Sequence, residues 1–446
     1  MQYTTTWKLE DFILQTRWEA LPEEVQERMR GCFIDLTGAL LTGSHSEQFK
    51  VGLKLAETLY GPGPVPVVGS DKCFTFMGAA TAMGHSSNAY DIDDGHNLIR
   101  AHPGTAVIGA VLAAALERDL RRNEFLTALL VAYETCIRSG QAIMQHYQNP
   151  HSSGTFGPSG IAAGVGRIYG FTREQLNNCL SIAEFNAPLV DGGRSVAYPS
   201  MNKDGVPFGV MIGALAVMEQ LSGFTGSKNL LESEKYSYLT DDLGKHYLVM
   251  DLYFKPYACC RWAHPAIDAC LGILREEQLT AGDIDSVTID TFLNATRLSR
   301  IVPATADEAQ YNIAYPVAAA LVHGDCSIAE IHETRIPDPE VVEMMQRLTF
   351  REEPAFTARF PAHRYCRAVI HTRDGRMLVS PECEPRGEAA EKIGIPWLSD
   401  KFRRITAPIF TREGQERILA MITGAEDLPV REIVREMNRP EYRIEL

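Results

Sequence analysis

The stretch TAVIGAVLAAALE, residues 105–117, decides the fold class, because a nearly uncharged helix of small residues must be buried on most sides. Small side chains also allow neighbouring backbones to approach closely. Three further stretches have the same character: FMGAATAMGHSSNA (76–89), GIAAGVGRIYG (160–170) and FGVMIGALAVM (208–218). Together they predict a dense bundle of helices.

Helix start and stop signals surround these stretches in the first half of the chain. Pro22 with Glu23 and Glu24 marks the start of a helix that Gly43 ends. Thr172 with Gln175 forms a capping-box pattern before another helix. The N-terminal half is therefore predicted to be a succession of helices.

The pattern changes after about residue 262. DSVTIDTFL and RYCRAVIHTRDGRMLVSPEC alternate β-branched and polar residues, with a turn at Asp374 and Gly375, whereas the stretches between them favour helices. After about residue 400 the pattern is helical again. We predict a mainly α protein with a large all-helical domain (1–262 and 396–446) and a smaller inserted α+β domain (263–395) with a mostly antiparallel sheet.

Composition excludes several classes of partner. The 446 residues are 45% hydrophobic and 22% charged, with a formal net charge of −14, which argues against nucleic acid or an anionic membrane surface. The N-terminus lacks a signal-peptide pattern, and no apolar run has membrane-spanning length. Ten cysteines without CxxC spacing predict reduced thiols. These features predict a cytoplasmic protein.

Candidate chemistry is concentrated in GHSSNAYDIDDGHNLIRAHPG, residues 84–104. Its carboxylates and histidines are compatible with a metal site, although the spacing matches no known metal motif, or with a capped polar loop. We favour a metal-free acid–base site. His102 is the best candidate base, because imidazole titrates near neutral pH, an adjacent carboxylate can orient the ring, and this residue precedes a predicted helix.

Four other segments carry candidate side chains. Each also has a purely structural interpretation, as a loop histidine, a solvated turn or a core tyrosine. The segments are HSSGTFGPSG (151–160) with His151, GGRSVAYPSMNKDGVPFG (192–209) with Arg194 and Lys203, FKPYACCRWAHPAIDAC (254–270) with Lys255, Arg261 and His264, and AQYNIAYPVAAAL (309–321) with Tyr315. P-loop, GxGxxG, GxSxG and paired CxxC motifs are absent, so nucleotide, flavin and α/β-hydrolase chemistry have no support.

Taken together, DIDDGHNLIRAHPG, the Lys203 loop, KPYACCRWAHPAIDA and QYNIAYPVAAAL resemble the MmgE/PrpD family in order and spacing along nearly the whole chain. The resemblance implies the helical domain with its α+β insertion, a homodimer, a di- or tricarboxylate substrate and no cofactor or metal. It places the family's catalytic residues on Asp91, His102, His151, Lys203, Lys255 and Tyr315.

The substrate expectation rests on finer details. Family members that are dehydratases or decarboxylases often read D-x-D-D-T, whereas Gly95 stands at the threonine position here and Arg100 follows in a longer loop. The segment CCRWAHPAID is most similar to iminodisuccinate epimerases. Further substrate-binding candidates are His96, Arg100, Arg194, Arg261 and His264.

The primary functional prediction is therefore a cofactor-independent epimerase acting on iminodisuccinate. His102 paired with Tyr315 or a lysine would move the proton, and Asp91 would orient His102 or tune its charge. Lys203 and Lys255 would stabilise negative charge on the substrate. The alternative is a 2-methylcitrate-type dehydratase or cis-aconitate-type decarboxylase. A third hypothesis is a non-catalytic protein that binds dicarboxylates.

Overall fold

Helices form most of the computed structural model, which describes residues 2–148 and 152–446. The described chain is 56% helical and its sheets are small, so the mainly α prediction is confirmed. Among the described residues, the N-terminal half contains ten α-helices: α1 (Lys8–Gln15), α2 (Glu23–Gly43), α3 (Glu47–Leu59), α4 (Phe76–Ser86), α5 (Pro103–Glu117), α6 (Arg122–His146), α7 (Ser153–Ile168), α8 (Arg173–Phe185), α9 (Gly192–Ala197) and α10 (Val206–Leu221).

The sequence signals that predicted these helices agree with their observed ends. Helix α2 begins directly after Pro22 and ends at Gly43. The Thr172 side chain accepts a hydrogen bond from the backbone N–H of Gln175 at the start of α8, which forms the predicted capping box. Local capping chemistry therefore determines where these helices begin.

The four small-residue stretches lie in helices α4, α5, α7 and α10, which pack against one another. A Cβ atom at Gly160 in α7 would lie 2.6 Å from the carbonyl oxygen of Ala132 in α6. A Cβ atom at Gly109 in α5 would lie 2.8 Å from the backbone nitrogen of Gly84 in α4. The dense bundle is thus confirmed, and its close backbone contacts depend on the small side chains.

A four-stranded sheet follows, with the strand order β6-β5-β7-β8. Strands β5 and β6 pair in parallel, while β7 pairs antiparallel with both β5 and β8, so the sheet is mostly antiparallel as predicted. Its strands are β5 (Ile284–Thr291), β6 (Leu348–Glu352), β7 (Cys366–Thr372) and β8 (Met377–Val379). The helices of this part are α11 (His264–Glu277), α12 (Leu293–Thr296), α13 (Ala306–Gln310), α14 (Ala314–His323), α15 (Ile328–Ile331), α16 (Pro339–Met345) and α17 (Pro354–Thr357).

Two short strand pairs lie outside this sheet. One joins β1 (Pro62–Pro66) to β2 (Cys73–Phe74), and the other joins β3 (Asp94–His96) to β4 (Leu252–Phe254). In the second pair, Gly95 stands opposite Tyr253. This pairing brings the segment before α5 next to the segment that precedes α11.

The C-terminal tail is helical, with α18 (Ile395–Thr406), α19 (Arg412–Thr423) and α20 (Val430–Met437). Helices α18 and α19 pack on α2, and α20 packs on α5, so the tail contacts the N-terminal helices. The division into domains at residues 262 and 395 stays a prediction. Among the residues described, no helix has the length and apolar character needed to cross a membrane.

The close contact at Gly160 predicts a reversal of the usual helix propensity. Alanine is favoured over glycine in helices by about 1 kcal/mol, yet Gly160→Ala should lower the free energy of unfolding by about 1–3 kcal/mol, because the new methyl group meets backbone in α6. Gly272→Ala in α11 is the matched control, since its added Cβ meets no atom within 4 Å beyond its chain neighbours and the backbone of its own helix. Thermal and urea unfolding measure both variants, and equal stabilities for the two would contradict the packing argument.

Candidate active site

His102 lies at the end of the loop that joins α4 to α5. Its Nδ1 atom is 2.9 Å from Oδ2 of Asp93 and 2.9 Å from the carbonyl oxygen of Asp94. Both partners accept hydrogen bonds, so Nδ1 carries a proton. The other nitrogen, Nε2, lies 3.4 Å from Oδ1 of Asp91 and 3.8 Å from Oδ2 of Asp204. Asp93 therefore orients the ring through Nδ1, whereas Asp91 lies at Nε2 and favours the positive charge of the ring, which is one of the two roles expected for it.

The buried carboxylates keep His102 protonated. Burial disfavours its positive charge, but the interactions with Asp93 and Asp91 outweigh burial and the nearby Lys255, and they raise the pKa of His102 to about 10. Burial alone would raise the pKa of Asp93. The positive charges of His102 and Lys255 outweigh burial and hold the pKa of that carboxyl well below its usual range. At neutral pH the ring is thus an imidazolium, which donates a proton before it can accept one.

Asp91 forms a buried ion pair with Lys255, which follows β4. The Lys255 Nζ atom is 2.6 Å from Oδ1 of Asp91 and 3.0 Å from its carbonyl oxygen. Burial disfavours the ammonium charge, but Asp91 outweighs that cost and raises the pKa of Lys255. Asp91 has a φ of 51°, a left-handed conformation that is uncommon outside glycine. Both contacts with Lys255 stabilise this conformation.

Lys203 is buried, and its ammonium group contacts other parts of the protein. Its Nζ atom donates to the carbonyl oxygens of Asn88, at 3.0 Å, and Ala89. It also lies 2.8 Å from Oε1 of Gln310 and 3.3 Å from Oδ1 of Asp307. These contacts engage the ammonium group, so Lys203 supports the loop before Asp91.

A third lysine supports the same loop from the C-terminal tail. Lys401 in α18 donates to the carbonyl oxygen of Ile92 at 2.5 Å and to Oδ1 of Asp35 at 2.5 Å. The backbone of residues 88–92 is therefore held by ammonium groups from three distant parts of the chain. Lys401 was not identified from the sequence, because its segment contains no recognisable motif.

A cavity of about 300 Å³ opens beside Asp91 and His102. Besides the imidazolium of His102, its lining includes four cationic side chains, three carboxylates and four aromatic rings. These charged residues are Asp91, Arg100, Asp191, Asp204, Lys255, Arg261 and Arg364, and the aromatic ones are Tyr253, Trp262, Tyr311 and Phe360. The positive charges suit a small molecule with several carboxylates, and His102 is placed to exchange a proton with it.

The structure brings together five of the residues that were predicted from the sequence. Asp91, Arg100, His102, Lys255 and Arg261 all line this cavity. Arg100 is exposed, whereas the other four are buried. The segments 84–104 and 254–270 therefore contribute most of the candidate site.

The remaining candidates lie elsewhere. Nε2 of His96 is 3.1 Å from the carbonyl oxygen of Leu248, and burial lowers the pKa of His96 to about 4. Nε2 of His264 is likewise 3.0 Å from the carbonyl oxygen of Cys259. Both rings are neutral hydrogen-bond donors inside the protein.

Tyr315 and Arg194 also lie away from the cavity that contains His102. The Tyr315 hydroxyl donates to the carbonyl oxygen of Glu330 at 3.4 Å. Arg194 is exposed and lines a different cavity, which Lys203 also borders. His151 falls outside the described residues, so its role stays a prediction.

Several cavity or orienting residues were missed as site residues, among them Asp93, Asp204, Tyr311 and Arg364. Asp93 belongs to the same acidic run as Asp91, Asp204 follows Lys203, and Tyr311 lies four residues before Tyr315. Each stands beside a residue that was identified, so the segment was found but the wrong side chain was chosen. Arg364 lies in a stretch that indicated only a strand and offered no functional signal.

Asp91, Asp93 and His102 are also the described group with metal-ligand geometry, with one donor atom each within 4.8 Å of one another. These donors are engaged by other partners. The Asp91 carboxylate holds Lys255, and the Asp93 carboxylate accepts from His102 and from Thr105 at 2.8 Å. A divalent ion would have to replace the buried ammonium of Lys255, so the donor set fits a metal poorly.

Replacement of Asp93 by asparagine should lower the pKa of His102 toward its ordinary value of 6.5, because the main partner that stabilises the imidazolium is neutralised. In the wild type, the ion pair's contribution to stability is complete below pH 6.5 and is lost as the pH rises through about 10. NMR titration of the His102 ring measures the shift. Asp204→Asn is the matched control with a smaller effect, since its carboxylate is 3.8 Å away. An unchanged titration in Asp93→Asn would contradict this assignment.

Comparisons with known proteins cover nearly the whole chain. Residues 8–240 match the model of the MmgE/PrpD N-terminal domain, and residues 257–427 match the MmgE/PrpD C-terminal domain. The chain is 23% identical to the cis-aconitate decarboxylase-like protein oryM of Aspergillus oryzae, over 94% of each chain. It is 22% identical to cis-aconitate decarboxylase of Homo sapiens, over 92% of this chain and 89% of the relative. It is also 30% identical to 2-methylcitrate dehydratase of Cupriavidus necator, over 35% of each chain. The matches to both domain models confirm the predicted resemblance: this chain belongs to the MmgE/PrpD family.

Proposed function

We propose that the protein is a cofactor-independent lyase that acts on a small tricarboxylate, by dehydration or decarboxylation. The carrying observation is the protonated His102, whose Nε2 atom lies beside Asp91 in a cavity with four cationic side chains. The relatives named as decarboxylases and a dehydratase support this alternative better than the epimerase prediction.

Both lyase reactions place negative charge on a carbon next to a carboxylate. In decarboxylation the carbon–carbon bond to the departing CO₂ breaks, its electron pair stays on the remaining carbon, and a proton must then be delivered. In dehydration a base removes a proton from carbon, and an acid protonates the hydroxyl group as it leaves. Lys255 and the cavity arginines would stabilise the charged intermediate, an effect worth about 3–4 kcal/mol for one well-placed donor in other enzymes.

The arrangement of proton-exchanging groups favours a lyase. An epimerase requires acid–base groups on opposite faces of the reacting carbon. Asp91 and Asp204 both lie near Nε2 of His102. Tyr311 lines the same cavity. Burial, followed by the negative charges of Asp204 and Asp91, raises the pKa of Tyr311 well above its usual value. In this cluster His102 would donate and Asp91 or Asp204 would accept.

Turnover on a panel of carboxylates tests the proposal. We expect cis-aconitate, citrate or 2-methylcitrate to lose CO₂ or water without added metal and in the presence of EDTA. His102→Gln should reduce kcat by about 10²–10⁴-fold with the fold retained, because the proton donor is removed. His371→Gln, an exposed histidine in β7, should have no effect.

The same incubation in deuterated water, with iminodisuccinate included, separates the lyase from the epimerase. Deuterium entry at the α-carbon of iminodisuccinate, with no loss of water or CO₂ from any member of the panel, would overturn the lyase proposal and support the epimerase. Turnover of no member, with carboxylate binding retained, would support the non-catalytic hypothesis. An activity lost to EDTA and restored by one ion would contradict the metal-free mechanism.

The family resemblance implies a homodimer, and we also propose that its two copies associate through α10 and its neighbours. Large apolar side chains are exposed on this surface: Phe185, Leu189, Phe208, Leu215, Met218, Leu221 and Phe224. Monomeric proteins rarely expose apolar patches of this extent, and a second copy would cover them.

Leu215→Asp should therefore shift the protein from dimer to monomer, because it places a charge in the proposed apolar interface. Leu59→Asp is the matched control: that side chain is 57% exposed at the end of α3, away from α10. Sedimentation or light scattering measures the mass. A wild-type monomer, or a Leu215→Asp variant that stays dimeric, would remove this interface.

We propose a cytoplasmic location. All ten cysteines are free thiols, and nine of them are buried or partly buried. A reducing compartment keeps thiols in this state.

A further inference from the structure

Two buried arginines, Arg261 and Arg364, line the cavity. Arg261 is 5% exposed and Arg364 is 8% exposed. They come from segments about a hundred residues apart, one before α11 and one before β7. In each, the buried Nε atom has no hydrogen-bond partner among the residues the structure describes. Buried guanidinium groups normally have their N–H groups paired, so both arginines retain hydrogen-bonding capacity that the described residues do not use.

The charge of this pair is only partly balanced. Arg261 forms an ion pair with Glu388. The only hydrogen bond that the described residues make with the Arg364 side chain goes to Oδ1 of Asn97, at 3.3 Å, and no carboxylate among them lies within 4.0 Å of it. Burial, followed by the positive charge of Arg261, lowers the pKa of Arg364. An anion entering here would therefore compensate a charge that is costly to bury.

The guanidinium group of Arg261 stacks on an aromatic ring. Its guanidinium carbon lies 3.3 Å from the centre of the Tyr253 ring. Tyr253 pairs with Gly95 across β3 and β4, and a Cβ atom at position 95 would overlap the Tyr253 ring. Because Gly95 has no side chain, the Tyr253 ring fits beside it. The stacked ring in turn fixes the position of the Arg261 guanidinium in the cavity. Stacking of this kind preserves the hydrogen-bonding edges of the guanidinium.

We propose that Arg261 and Arg364 form a subsite for a second carboxylate of the ligand. The first carboxylate is attached to the reacting carbon, which lies beside His102 and Lys255, and the subsite is remote from it. The inference rests on the proposed function only for the class of ligand, a polycarboxylate. The planar forks of the two guanidiniums match a carboxylate through paired hydrogen bonds. The subsite makes the cavity select polycarboxylates over monocarboxylates, and Gly95 and Tyr253 act as positioning residues for it.

Binding of unreactive probes tests the subsite without turnover. Calorimetric titration with tricarballylate and with propionate is made on the wild type, Arg364→Gln and Arg261→Gln, with circular dichroism as the check on folding. We expect each variant to bind tricarballylate roughly 30- to 100-fold more weakly, because a buried charge-assisted pair is lost, with little change for propionate. The exposed Arg373→Gln is the matched control and should bind both probes as the wild type does.

His102→Gln separates this inference from the proposed function. It should lose turnover but keep the preference for tricarballylate over propionate, so a failed turnover panel would refute the lyase and leave the binding result intact. Where Arg364→Gln does not fold, Arg364→Lys serves, and its weaker pairing geometry should give an intermediate loss. The subsite is overturned if tricarballylate does not bind the wild type, if the arginine variants bind it normally, or if propionate binding falls by the same factor.

Discussion

The backbone of residues 88–92 depends on three buried lysine side chains. Lys203, Lys255 and Lys401 donate to its carbonyl oxygens, which belong to neither a helix nor a sheet. A buried carbonyl without a partner and a buried ammonium without acceptors are both costly, so each group removes the penalty of the other. The loop makes these contacts in a conformation that has Asp91 at φ 51°. The position of the candidate acid–base group therefore follows from how buried charge is compensated.

The same compensation produces a positive cavity in an acidic protein. The chain carries a formal net charge of −14, yet the cavity gathers Lys255, Arg261 and Arg364. Surface charges are screened over about 8 Å in physiological salt, whereas buried charges are screened far less. The local field at the ligand is thus set by these few side chains, and the acidic exterior affects mainly solubility and the rate of approach.

Much of the fold was predictable because its signals are local. Helix ends at Gly43 and Thr172 follow from capping chemistry, and the small-residue stretches indicate close packing wherever they occur. The site was only partly predictable. Tyr311 and Tyr315 lie in one short segment, yet only the former lines the cavity, because α14 begins between them at Ala314.

Other parts of the site depend on tertiary contacts that leave no pattern in the sequence. Lys203 has a φ of 36°, and its side chain is buried against loop carbonyls, which its polar, glycine-containing segment did not indicate. Arg364 joins the cavity because the segment before β7 lies near Tyr253 and Arg261, which line the same cavity. Motif spacing identified the segments that meet, but the choice of side chain is made by packing.

The protonation state of His102 sets the order of events under the proposed function. A bound polycarboxylate brings further negative charge, which stabilises the imidazolium and makes it a still weaker base. Decarboxylation needs no base, because the departing CO₂ leaves the electron pair behind and His102 supplies the proton afterwards. Dehydration begins with proton removal from carbon, so Asp91 or Asp204 must accept that proton while His102 protonates the leaving hydroxyl. One cluster of side chains thus serves both lyase reactions, and the substrate's own leaving group decides which of them occurs.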